Sequence, residues 1–84
     1  MRAMHELSLC ENIVKIIERQ AARDGFTRVV TVTLSLGDLS GASEESLSFC
    51  FPMVTKGTVA DGATLAFVHT SGCDLRVKEV EVGD

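Results

Sequence analysis

A chain of 84 residues makes one small domain with a modest core, and its formal net charge of −4 argues against nucleic acid, which requires a basic patch. No apolar run approaches the ~20 residues that span a bilayer, and no helical segment carries the Lys/Arg-rich face that an anionic membrane attracts. Cys10, Cys50 and Cys73 are too few and too widely spaced for a disulfide framework or a Cys-x-x-Cys metal pair, and the four aromatic residues, all Phe, offer no stacking platform for bases.

Near the start of the chain, Met4-His5-Glu6 sets an imidazole beside a carboxylate close to a free amine. His5 has a ring nitrogen and a backbone nitrogen to offer, and Glu6 a carboxylate. Nitrogen-rich planar donor sets suit Ni(II) or Cu(II). By itself the triplet is a weak signal, since a lone His near a terminus is usually a solvated residue. The segment has no long apolar core of a secretory signal, so a cytoplasmic protein is expected.

Residues 6–24 read as a helix, with Leu7, Cys10, Val14, Ile17 and Ala21 three and four apart and Leu9 and Ile13 beside them. Ser8 to Glu11 has capping-box spacing, so a start at Ser8 is expected, with Met4-His5-Glu6 as an extended arm ahead of it. Gly25 suits the residue after the helix end. Lys15, Glu18, Arg19 and Arg23 form a face expected to be solvated.

From Arg28 to Leu36 the chain alternates as a strand, with Val30, Val32, Leu34 and Leu36 facing one way and Thr31, Thr33 and Ser35 the other. Helices should cover one side of such a sheet, leaving the other to water or a partner. Gly37-Asp38-Leu39-Ser40-Gly41 is a loop without the Lys-Ser/Thr pair of a phosphate loop. Ser43 is a plausible N-cap, with Glu44 and Glu45 in the first turn of a second helix that buries Leu47, Cys50, Phe51 and Val54 and closes at Lys56-Gly57. Pro52 should kink or shorten it.

Thr64 to His69 and Leu75 to Val82 are two further strands, joined by Thr70-Ser71-Gly72-Cys73 and expected to pair as a hairpin. The last strand changes phase between Leu75/Val77 and Val80/Val82, which a bulge near Lys78-Glu79 would reconcile. The order helix, strand, helix, strand, strand predicts a two-layer α+β domain, with a three-stranded mixed sheet and two helices on one face. A right-handed crossover is expected if the first two strands are parallel neighbours.

Across Met4 to Val82 the sequence resembles the HypA/HybF family of hydrogenase maturation factors. The resemblance rests on Met-His-Glu-Leu-Ser-Leu-Cys-Glu at 4–11, Leu-Gly-Asp-Leu-Ser-Gly at 36–41 and Leu-Ser-Phe-Cys-Phe at 47–51. Val-Thr-Lys-Gly-Thr at 54–58 and Leu-Arg-Val-Lys-Glu-Val-Glu-Val at 75–82 complete it. It implies a nickel metallochaperone that inserts Ni(II) into the large subunit of [NiFe]-hydrogenase together with the GTPase HypB. It also implies a nickel site at Met4, His5 and Glu6, built on the Met amine, the His backbone nitrogen and the His ring.

Two departures shape the expectations. The family's zinc module, two Cys-x-x-Cys pairs inserted between the last two strands, is absent between Thr70 and Asp74, and Cys73 with His69 does not make a tetrahedral site, so no zinc is expected. Met1-Arg2-Ala3 precede the motif: if the chain begins at Met1, the amine lies away from His5 and weaker nickel binding is expected, whereas a start at Met4 keeps the family's arrangement. An enzyme is not expected, because no nucleophile stands near a base and no cofactor loop is present. The alternative is a HypA-like docking or scaffold module that has lost metal delivery. In either case the chain is expected to be a monomer or weak homodimer. Cys10 and Cys50 read as core residues, Cys73 as exposed, His69 as structural or solvated, and Glu44-Glu45 as a helix start.

Overall fold

Five elements follow the expected order: α1 (Arg2–Asp24), β1 (Val29–Gly37), α2 (Glu44–Thr55), β2 (Thr64–Thr70) and β3 (Leu75–Val82). The computed structural model describes residues 2–83, with side chains from residue 6 onward. Cys10, Ile13, Val14, Ile17 and Ala21 of α1 are buried, as their spacing requires. The helix stops at Asp24 because Gly25 takes φ +80° and its N–H reaches the Ala21 carbonyl at 2.8 Å. At its other end α1 overruns the expectation. It begins at Arg2, so Met4-His5-Glu6 is helical and not an extended arm, and Ser8–Glu11 lies inside the helix. Nothing in residues 2–8 breaks a helix, and Glu6, four residues before Cys10, continues the buried face. Glu18, expected to be solvated, accepts a hydrogen bond from the Val59 N–H at 3.1 Å and ties α1 to the segment before β2.

β1 sits in the middle of the sheet, whose order is β2-β1-β3. Val32, Leu34 and Leu36 are buried against the helices, and Thr31, Thr33 and Ser35 occupy the other face. Val29, rather than Val30, joins the core, because the pairing with β3 slips between Val29 and Thr31. β2 runs parallel to β1, as the intervening helix demands, and β3 runs antiparallel on the opposite side. The expected β2–β3 hairpin is therefore corrected: each strand pairs with β1. Flanking on both sides buries the most apolar strand, which a hairpin would have left at an edge. The expected bulge is present, since Thr33 pairs with Glu79 and Leu34 with Val77, leaving Lys78 extra. It brings Leu75, Val77 and Val80 onto the helix side together, packed against the core.

The link from β2 to β3 crosses the end of β1 at Gly37. Three backbone hydrogen bonds of 2.8 Å fasten it, from the N–H groups of Gly37, Asp38 and Leu39 to the carbonyls of Asp74, Thr70 and Gly72. A Cβ on Gly37 would stand 2.5 Å from the Gly72 carbonyl oxygen, so only glycine admits this crossing. α2 then starts at Ser43, whose hydroxyl accepts the Ser46 N–H at 3.1 Å. The helix continues through Pro52 to Thr55 and closes at Lys56, as expected of Lys56-Gly57, so Pro52 does not shorten it. The proline removes one donor, and the exit is held by Thr58, whose N–H and hydroxyl both donate to the Thr55 carbonyl. Among the described residues no helix is long and apolar enough to cross a membrane.

Candidate metal centre

The heads of the two helices meet. Glu6 of α1 is only 7% exposed and lines a cavity of about 280 Å³ with Glu45, Ser46, Phe49 and Cys50 of α2. Helical spacing puts Glu6 on the same face as Cys10, and that face packs on α2. The carboxylate of the Met-His-Glu motif is thus held at the joint between the helices. The backbone of Met4 and His5 forms part of the first turn of α1. Their side chains, and the Met1 amine, lie outside the described residues.

One turn further along, Cys10 is fully buried and its thiol donates to the Leu47 carbonyl at 3.6 Å. Burial pushes the Cys10 thiol up to about 11, helped by the proximity of Cys50 and Glu6. At neutral pH it is a protonated core thiol, in keeping with the core assignment. Cys50 is buried and Cys73 exposed, both as expected.

His69 is neither buried nor free. Its Nε2 meets Glu44, and its Nδ1 lies 3.9 Å from Asp38. The ring bridges the 37–41 loop and the first turn of α2, so Glu44 serves both the helix dipole and this contact. Among the described residues, no group of three or more His, Cys, Asp or Glu side chains is placed to hold a metal ion.

Phe49 and Met53, four residues apart on α2, are 69% and 59% exposed. They stand beside the seam with α1, flanked by Glu6 and Glu45 at one end and by Glu11 and Lys15 at the other. The sequence signal for this ridge was present, as two large apolar side chains off the buried stripe, but its closeness to Glu6 belongs to the packing of α2 on α1.

Residues 4–75 match the family described as "Hydrogenase/urease nickel incorporation, metallochaperone, hypA". The chain is 46% identical over 69 residues to hydrogenase maturation factor HypA of Bradyrhizobium sp. (strain ORS 278), covering 82% of this chain and 61% of that protein. It is 48% identical to HypA of Azotobacter chroococcum mcd 1, with the same coverage, and 42% identical to HypA of Paracoccus denitrificans (strain Pd 1222), covering 96% of this chain and 74% of that one. The first two matches span about three-fifths of those relatives' length.

The family so matched is described as one of metallochaperones for nickel incorporation. The chain belongs to the HypA family.

Proposed function

We propose that this protein handles Ni(II) for [NiFe]-hydrogenase maturation in the cytoplasm, binding the ion at Met4, His5 and Glu6 as cargo. The observation that carries the reading is the family match, which begins at Met4, at the head of α1. Glu6 supports it, because it places a carboxylate at the joint between the helices, one residue after His5. His5 supplies its ring. Its backbone nitrogen becomes a donor only when deprotonated, and in a helix that nitrogen belongs to the hydrogen-bond ladder. Nickel capture by the backbone therefore unwinds the first turn. That turn has no acidic residue and carries Arg2 at its positive end, so little is lost when it opens.

Docking on the hydrogenase large subunit or a HypB-like GTPase is assigned to the Phe49–Met53 ridge, an apolar strip with carboxylates at its rim next to the metal end. The second reading, a module that docks without delivering metal, draws on the helical backbone through His5, which ties up one donor. Calorimetric titration with Ni(II) at neutral pH decides between them. His5→Ala should abolish binding and Glu6→Gln weaken it, and a chain starting at Met4 should bind tighter than one starting at Met1. Nickel binding that survives His5→Ala removes the site from this motif, and no binding by any form leaves the docking module.

We also infer that no zinc is needed between Thr70 and Asp74, where three backbone hydrogen bonds close the link. Metal analysis should find no stoichiometric zinc, and a chelator should leave the melting temperature unchanged. One tightly held zinc per chain would overturn this.

A further inference from the structure

The two core cysteines face each other across the joint between the helices. Cys10 of α1 is fully buried, and Cys50 of α2 is 7% exposed. The Cys10 thiol stands 3.6 Å from the Leu47 carbonyl oxygen. In an α-helix that carbonyl points along the axis to the turn that carries residues 50 and 51, which places Cys10 level with Cys50. Access differs between the two. Cys50 lines the cavity between the helix heads, together with the exposed Phe49 and Glu45, whereas Cys10 lies behind it in the core. A small solute entering that cavity therefore meets Cys50 first.

We propose that Cys10 and Cys50 are a reversible redox pair, with Cys50 as the thiol that a small hydroperoxide oxidises and Cys10 as the thiol that closes a disulfide between α1 and α2. The Cys50 thiolate attacks one oxygen of hydrogen peroxide and breaks the O–O bond, which gives a Cys50 sulfenic acid and hydroxide. The Cys10 thiolate then attacks the sulfenic sulfur, the S–S bond forms and a second hydroxide leaves. The protons given up by the two thiols turn both hydroxides into water. The thiols lose two electrons in all, and one peroxide is reduced to two waters. Burial, with Cys50 and Glu6 close by, pushes the Cys10 thiol up to about 11, so the closing step is slow at neutral pH and quickens as pH rises. The same property makes the bridge persistent, because a thiol that attacks the accessible Cys50 sulfur must expel Cys10, a poor leaving group. The bridge fastens the joint one turn behind Glu6 and does not depend on nickel.

Hydrogen peroxide treatment of the full chain carrying Cys73→Ser tests this, since the exposed Cys73 is then removed from the chemistry. The intact mass should fall by two hydrogens. Trypsin should release residues 3–15 joined to residues 29–56, and dithiothreitol should separate them. The melting temperature should rise by roughly 10 °C on oxidation and return on reduction. Closure should be faster at mildly alkaline than at neutral pH. In the same background, Cys10→Ala should let Cys50 go on to sulfinic acid, and Cys50→Ala should leave Cys10 a thiol. Circular dichroism checks the fold of each variant, and should either fail to fold, the peptide map of the Cys73→Ser chain decides alone. Two free thiols after treatment overturn the proposal, as does a Cys50 sulfinic acid beside a free Cys10. A Cys10 that oxidises as readily without Cys50 overturns it too.

Discussion

Two helix heads share one cavity and are held in opposite ways. The head of α2 is pinned. Gly37 locks the crossing before it, Ser43 caps it, Glu44 and Glu45 answer the helix dipole, and His69 bridges Glu44 to Asp38. The head of α1 has no acidic residue in its first turn and carries Arg2 at the end where positive charge is unfavourable. Glu6 is buried at the joint with α2. From Cys10 onward the buried face of α1 is part of the shared core, which anchors the helix.

The largest effects should come from the shared core. Ile17→Ala and Leu34→Ala should each cost about 2–5 kcal/mol, since both side chains are fully buried, whereas His5→Ala should leave thermal stability nearly unchanged. If His5→Ala proves the most damaging of the three in a melt, the head of α1 is as firmly held as its body and the contrast fails.

Gly37→Ala should cost about 1–3 kcal/mol, because the new Cβ meets backbone and not a movable side chain. Denaturant titration that shows a neutral substitution would mean the crossing is looser than its hydrogen bonds suggest.

Cys10 probes the joint just behind the two heads. Its thiol has an ordinary value of 9.0 and is raised to about 11 in the folded chain. The unfolded chain therefore loses this proton first as pH rises. The stabilisation is complete below pH 9 and is lost towards pH 11, by about 1–3 kcal/mol. Stability measured across that window should fall less steeply in Cys10→Ala than in the parent, and identical slopes would place the thiol in contact with water.

The smallest effects compare the heads directly. Ser43→Ala should destabilise by about 1 kcal/mol, and Arg2→Glu should stabilise by about 0.3–1 kcal/mol at low salt. Arg2→Glu should also weaken nickel binding, by making the first turn harder to open. A gain in stability with unchanged nickel affinity would separate binding from unwinding.

Much of this was readable along the chain. Gly25 and Ser43 mark helix ends through interactions within four residues, and the phase change between Val77 and Val80 reports a bulge because side chains alternate strictly in a strand. The reading of α1 failed at its head because Ser8–Glu11 has the spacing of a capping box, while nothing before it stops a helix. The hairpin reading failed because a short turn between two strands is compatible with either pairing. The competition was settled by β1, whose Val32, Leu34 and Leu36 are best covered from both sides. The motif Met4-His5-Glu6 was visible as a string of donors, but the burial of Glu6 against residues some forty positions later was not.

By itself the sequence determined the five elements, most of their ends and the family to which the chain belongs, because periodicity, caps and motif order act over a few residues at a time. Only the tertiary structure decided which strands are neighbours, why residue 37 must be glycine, and that Glu6 closes the joint between the two helices. Those outcomes depend on contacts between distant segments, where the same local pattern admits several pairings and the burial of one shared core selects among them.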